Sequence, residues 1–228
     1  MRFHPDSINR ITDLIYKEQM TYNCSIVIGD NSGGKSFLVK TLVKKWLNET
    51  NVYFIDAVNR NFDASRVTQQ IEKPEYKGVI VETRLREAVF NILDSFNCYG
   101  TSTERVEQIY TAFEKAVQDR FERLTDETFQ ILYGDPLGEV RFSEGNRTLS
   151  SGYQALVRII LELTFYYEME IVKKNVPSAW TVIDEVDEFL SPKYASKILP
   201  FLRNEFPRLK FVIITHSIDL VVTAQDAN

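Results

Sequence analysis

With 228 residues, 44% of them hydrophobic and 26% charged, the chain has a globular composition and enough length to bury a sizeable core. A net charge of −5, from 27 Lys and Arg against 32 Asp and Glu, argues against broad, charge-driven adhesion to nucleic acid. Apolar stretches such as 155–165 are broken by Arg158 and Glu162 and fall short of the roughly 20 residues that span a bilayer, and the start, Met1-Arg2-Phe3-His4-Pro5-Asp6, has no apolar signal region. A cytoplasmic protein with no membrane segment is therefore expected.

The first predicted element is a helix over residues 6–19, with Ile8, Ile11, Leu14 and Ile15 on one face and Asp6 or Ser7 as its cap. Residues 24–28, Cys-Ser-Ile-Val-Ile, read as a short apolar strand that places Cys24 in the core. Cys98 is far away, so the two cysteines form neither a metal spacing nor a disulfide framework. Immediately after the strand, Gly29, Asp30, Asn31, Ser32, Gly33, Gly34, Lys35 and Ser36 match G-x-x-x-x-G-K-[ST]. A glycine-rich turn lets backbone N–H groups close on phosphate oxygens, and the helix predicted over 36–47 adds its positive N-terminal dipole. Lys35 is expected to reach the β- and γ-phosphates of a nucleoside triphosphate, and the Ser36 hydroxyl to ligate Mg²⁺. On that helix Lys40, Lys44 and Lys45 are read as a solvated face.

Residues 52–56 read as a buried strand and 78–81 as a weaker one. This alternation predicts an α/β fold of the P-loop NTPase kind, with a mostly parallel sheet flanked by helices. The middle of the chain changes character. Residues 85–96 are amphipathic, and over 103–124 Val106, Ile109, Tyr110, Phe113, Val117 and Phe121 recur at helical spacing, a stripe read as core and not as a base-stacking platform. Residues 84–148 are predicted to form a mostly helical subdomain within a single domain over 1–228, ending in short strands near 129–133 and 139–142. Beyond it come an apolar helix through Leu156, Ile159, Ile160, Leu163 and Tyr167, a strand ending at Asp184, a helix opened by Pro192, and a strand over 211–214.

Asp184 and Glu185 close the apolar run Trp180-Thr181-Val182-Ile183. Ligands of open α/β sheets collect at the carboxyl ends of strands, so both carboxylates are expected to face the phosphate loop. Phosphoryl transfer asks a protein mainly for positioning and charge stabilisation. Asp184 is expected to hold Mg²⁺ through water, and Glu185 to polarise the attacking water. His216 follows the last apolar strand in the same way and is expected to donate a hydrogen bond to the γ-phosphate.

Residues 29–36, Leu149-Ser150-Ser151-Gly152-Tyr153-Gln154, Asp184-Glu185 and His216 together resemble the ABC-type ATPases, the second element standing for that family's signature Leu-Ser-Gly-Gly-Gln. The run Asp184-Glu185-Val186-Asp187-Glu188-Phe189-Leu190-Ser191-Pro192 is similar to that of the soluble SMC/RecF-like branch, including its overcoming-lysogenization-defect members. Transporter subunits usually carry a Ser-Gly-Leu-Asp turn there. The resemblance implies ATP and Mg²⁺ as ligands and a head-to-tail homodimer formed on ATP binding. In that dimer Ser151 and Gly152 of one chain cover the γ-phosphate held by the other. It further implies a protein partner, such as a nuclease or toxin effector in anti-phage defence, and leaves DNA as a candidate target. A transporter nucleotide-binding subunit and a non-hydrolysing scaffold are the rival readings. The family's strands before the phosphate loop are replaced by a predicted helix, which leaves Tyr16 and Tyr22 as candidates for adenine stacking and Gln69 and Gln70 as candidates for the Q-loop glutamine. Relatives often continue into another strand where this sequence stops, at Asn228.

Overall fold

The computed structural model describes residues 5–29, 34–57, 60–69, 74–76, 78–86 and 106–228. In chain order the first elements are α1 (Pro5–Tyr16), β1 (Cys24–Ile28), α2 (Lys35–Leu47), β2 (Val52–Ile55) and α3 (Val79–Arg86). Next come α4 (Val106–Thr125), β3 (Phe129–Ile131), β4 (Glu139–Phe142), β5 (Gly145–Thr148) and α5 (Ser151–Tyr166), which runs on into a π-helical turn, Tyr167–Val172. The last are β6 (Ala179–Ile183), α6 (Pro192–Glu205), β7 (Leu209–Thr215) and α7 (Ile218–Thr223).

Four strands pair in the order β1-β7-β6-β2, and every pair is parallel. Strands buried on both faces need near-continuous apolar sequence, which Val52-Tyr53-Phe54-Ile55 and Phe211-Val212-Ile213-Ile214 supply. The register sets Ile28 beside Thr215 and Ile183 beside both Ile213 and Ile55. The carboxyl ends of the four strands therefore reach nearly one level, and Gly29, Asp56, Asp184 and His216 leave the sheet side by side.

Leu38, Val39, Leu42, Val43 and Trp46 form the buried face of α2, and Trp46 stacks on Trp180 of β6 with ring centroids 4.4 Å apart. α1 packs on α2, where Lys45 pairs with Asp13 at 2.6 Å. Asp6 lies inside the first turn of α1 and not before it. Cys24 is buried, and loss of solvent pushes its thiol up to about 12.

Residues 78–81 are not a strand. Ile80, Val81, Arg84 and Leu85 are the buried positions of α3, a one-sided helical spacing that a four-residue apolar run cannot reveal. The segment 87–105 lies outside the described residues, which removes most of the helix expected over 85–96. The next expected helix is observed as α4, and its aromatic stripe is core: Tyr110, Phe113 and Phe121 are buried. α4 packs against α5 and α6, and Arg123 grips Glu205 of α6 with two hydrogen bonds of 2.6 and 2.7 Å. β3, β4 and β5 form an antiparallel sheet whose Phe129 meets Phe121 edge-on at 4.8 Å. β5 has no sequence signal, because Gly-Asn-Arg-Thr is exposed throughout and lacks an apolar alternation; it pairs with β4 through its backbone, and Arg147 lies over the Phe142 ring at 4.2 Å.

Candidate active site

β1 runs straight into Gly29, and α2 begins at Lys35. Gly34 caps that helix in the left-handed region, with φ +87°, where a side chain would be strained. Asp30, Asn31, Ser32 and Gly33 lie outside the described residues. The Lys35 ammonium donates to the Gly29 carbonyl at 2.5 Å, so its side chain reaches back across the loop. Ser36 is exposed in the first turn of α2, where the helix dipole favours an anion.

The turn after β6 is fastened to both neighbouring strands. Asp184 N–H donates to the Ile55 carbonyl at 2.9 Å, and Val186 N–H to the Ile214 carbonyl at 3.3 Å. Within the turn, Glu188 N–H reaches the Glu185 carbonyl at 3.0 Å. Glu185 itself adopts φ +52°, a strained value for a residue with a side chain. That conformation sets its carboxylate 3.2 Å from Nε2 of His216. The segment carrying His216 is held in turn, since the Thr215 hydroxyl donates to Asp187 and accepts from Ser217 N–H at 2.8 Å. Two residues that stand 31 positions apart in the sequence are thus brought into direct contact.

Desolvation raises the Asp184 carboxyl to about 6, and the charges of Glu185 and Asp56 add to it, while Arg60 and Lys35 pull in the opposite direction. Burial followed by the Glu185 charge also raises Glu188. Such crowded carboxylates suit a cation. Among the described residues no three Asp, Glu, His or Cys side chains form a metal cage. Mg²⁺ takes one or two carboxylates and completes its shell with waters and substrate phosphates. Ser36 and Asp184 are the residues that would hold it.

A stability prediction follows from Asp184. Its folded pKa lies above the ordinary 3.8, so the native state binds the proton more tightly than the unfolded chain. Stability then falls as pH rises from roughly 4 to 6, and the loss is complete above about 6. Asp184→Asn is expected to stabilise the metal-free protein at pH 8 by about 1–2 kcal/mol, discounted for partial exposure, and by much less at pH 4.5. Urea titrations at the two pH values check this. Equal gains at both would contradict it.

Ser150 caps α5, its hydroxyl accepting from Tyr153 N–H at 3.3 Å, and Gln154 donates to the Leu149 carbonyl at 3.0 Å. Ser151 is exposed at the first position of the helix. Gly152 has a reason inside its own chain, because a Cβ there would stand 2.9 Å from the Phe189 carbonyl. It therefore meets the turn that carries Glu185.

Sequence reasoning missed Arg60, which is 2% exposed and donates to the carbonyls of Asp56 and Asp184. It also missed Asp56, although that residue ends an apolar strand as Asp184 does. The two tyrosines offered for adenine stacking sit at the wrong end. Tyr16 bonds Glu49 and lies under Lys45, near the far end of α2, and Tyr22 precedes the start of β1. Gln69 is exposed and follows a 3₁₀ turn (Ala64–Arg66), and Gln70 lies outside the described residues.

No family model matches the chain. A retron Vc95 probable ATPase of Vibrio cholerae serotype O1 biovar El Tor is 23% identical over 186 residues, covering 74% of this chain and 34% of that protein. The Septu protein PtuA of Bacillus thuringiensis is 27% identical over 110 residues, covering 46% of this chain and 27% of that protein. The chain thus spans about a third of the first and about a quarter of the second. Among solved structures, the SMC head domain from Thermotoga maritima aligns with 53% of this chain and 44% of its own at a TM-score of 0.37 and 22% identity.

Proposed function

We propose that this chain, which resembles the ABC-type ATPases of the soluble SMC/RecF-like branch in its ordered motifs and its parallel α/β fold, binds ATP with Mg²⁺ and hydrolyses it. The observation that supports this most is the convergence of Lys35, Asp184 and the Glu185–His216 pair at the carboxyl end of one parallel sheet. Lys35 and the first turn of α2 bind and orient the phosphates. Ser36 and Asp184 would hold Mg²⁺, which would supply neutralisation of the charge that develops on the phosphoryl group. Glu185 accepts the proton of a water whose oxygen attacks the γ-phosphorus as the bond to the ADP oxygen breaks. His216, paired to Glu185, fixes that carboxylate and faces the phosphate end of the site.

The exposure of Ser151 at the head of a buried helix supports a role for it on a second protomer. The active species is then a head-to-tail dimer with two ATP molecules clamped between chains, working in the cytoplasm. Its cycle gates a protein partner, a nuclease or other effector of anti-phage defence, with DNA as a target. That last step is supported by the resemblance alone.

Sedimentation of Glu185→Gln with and without ATP tests the clamp. A shift from monomer to dimer with ATP and Mg²⁺ is expected, and a monomer at every ATP concentration overturns the homodimer. A wild-type protein that binds ATP without releasing phosphate would instead be a scaffold.

A further inference from the structure

Between α5 and the carboxyl end of β2 lies a set of charges that the reaction does not itself require. Arg60, Arg84 and Arg158 are 2%, 4% and 1% exposed, and Glu162 is fully buried. Arg158 and Glu162 stand one turn apart on α5, joined at 2.6 Å. Arg84 of α3 meets the other oxygen of Glu162 at 2.9 Å, and the Tyr53 hydroxyl of β2 donates to that same oxygen at 2.8 Å.

Arg84 then continues toward the site. It donates to the Phe54 carbonyl at 2.6 Å, and its Nε stands 3.6 Å from the Asp56 carboxylate. Arg60 completes the path by donating to the carbonyls of Asp56 and Asp184. An unbroken chain of hydrogen bonds and ion pairs therefore joins the middle of α5 to the backbone of Asp184. Gly152, in close contact with the Phe189 carbonyl, makes a second junction between the same helix and the same turn.

Around this network α5 is lined with Leu156, Ile159, Ile160 and Leu163. Apolar residues of similar volume at 84, 158 and 162 would serve stability as well, since desolvating two guanidiniums and a carboxylate offsets much of what their pairing returns. Directional bonds do what apolar contacts cannot: they fix distance and angle between helix and strand end. We propose that Arg84 and Glu162 are positioning residues, holding the helix that presents Ser151 in register with the turn that carries Asp184 and Glu185, so that closure at Ser151 sets the water-polarising carboxylate. This rests on the ATPase reading of the site.

The test separates folding, binding and turnover. In the triple variant Arg84→Met, Arg158→Leu, Glu162→Leu, the melting temperature and the affinity for a fluorescent ATP analogue should stay near wild type, within about threefold for affinity, while kcat falls by about 10-fold or more. Arg84→Lys provides the second variant should the triple fail to fold. It keeps the charge beside Glu162 but cannot span that carboxylate and the Phe54 carbonyl together, so kcat should fall several-fold at unchanged KM. Wild-type kcat in either folded variant overturns the proposal, as does a loss confined to nucleotide affinity. Wild-type phosphate release that Lys35→Ala abolishes is the control. Without it the ATPase reading fails and this inference with it; with it, unaltered variant rates refute the coupling alone.

Discussion

Glu185→Gln is expected to bind ATP as tightly as the wild type and to release phosphate about 100-fold more slowly or worse, the loss typical of a removed general base. The substitution is nearly isosteric. It keeps an oxygen or nitrogen within reach of His216, which now stands 3.2 Å from the carboxylate, and it leaves the left-handed backbone at φ +52° unchanged. What it removes is the group that accepts the proton of the attacking water. Equilibrium binding of a fluorescent ATP analogue and steady-state phosphate release read the two effects separately. A variant that turns over at the wild-type rate would remove Glu185 from the role of base and point to its raised neighbour Glu188.

The second large effect concerns sharing of sites between chains. Lys35→Ala deletes an ammonium that spans the loop to Gly29, and loss of one charge-assisted contact of about 1.5–3 kcal/mol should weaken ATP binding by roughly 10- to 100-fold. Ser151→Arg places bulk and charge at an exposed helix start without touching the loop of its own chain. Both proteins should be inactive alone. Mixed in equal amounts, they should form heterodimers in which one site has an intact Lys35 and an intact Ser151 while the other carries both defects. Half of the dimers with half of their sites complete gives about a quarter of the wild-type rate, provided the two sites fire independently. Full activity of Ser151→Arg alone would remove the signature role from residues 149–154. The site would then belong to a phosphate-loop ATPase of another kind.

The two effects draw on different parts of the molecule, and these were not equally legible in the sequence. The phosphate loop is legible because its chemistry demands glycine, lysine and serine at fixed spacing within eight consecutive residues. Asp184 and Glu185 are legible because a buried parallel strand reads as an unbroken apolar run, so its end marks the ligand side of the sheet. α4 is legible for the same reason of scale, its apolar positions recurring over five turns. Where the local signal is short or polar, that kind of reading fails. Residues 78–81 have too few positions to separate a strand from the start of α3, and the pairing of β5 with β4 is announced by no apolar alternation.

By itself, then, the sequence determined the G-x-x-x-x-G-K-[ST] segment between β1 and α2, the carboxylate pair after β6 and the alternating α/β plan, because each is written within one continuous segment. Only the tertiary structure decided that Glu185 faces His216, that Gly152 packs against Phe189, and that Arg60 reaches Asp184 across 124 positions of chain. These contacts join segments whose local patterns are independent of one another. They exist because parallel pairing in one register brings four strand ends to nearly the same level, and no periodicity within a single segment encodes that register.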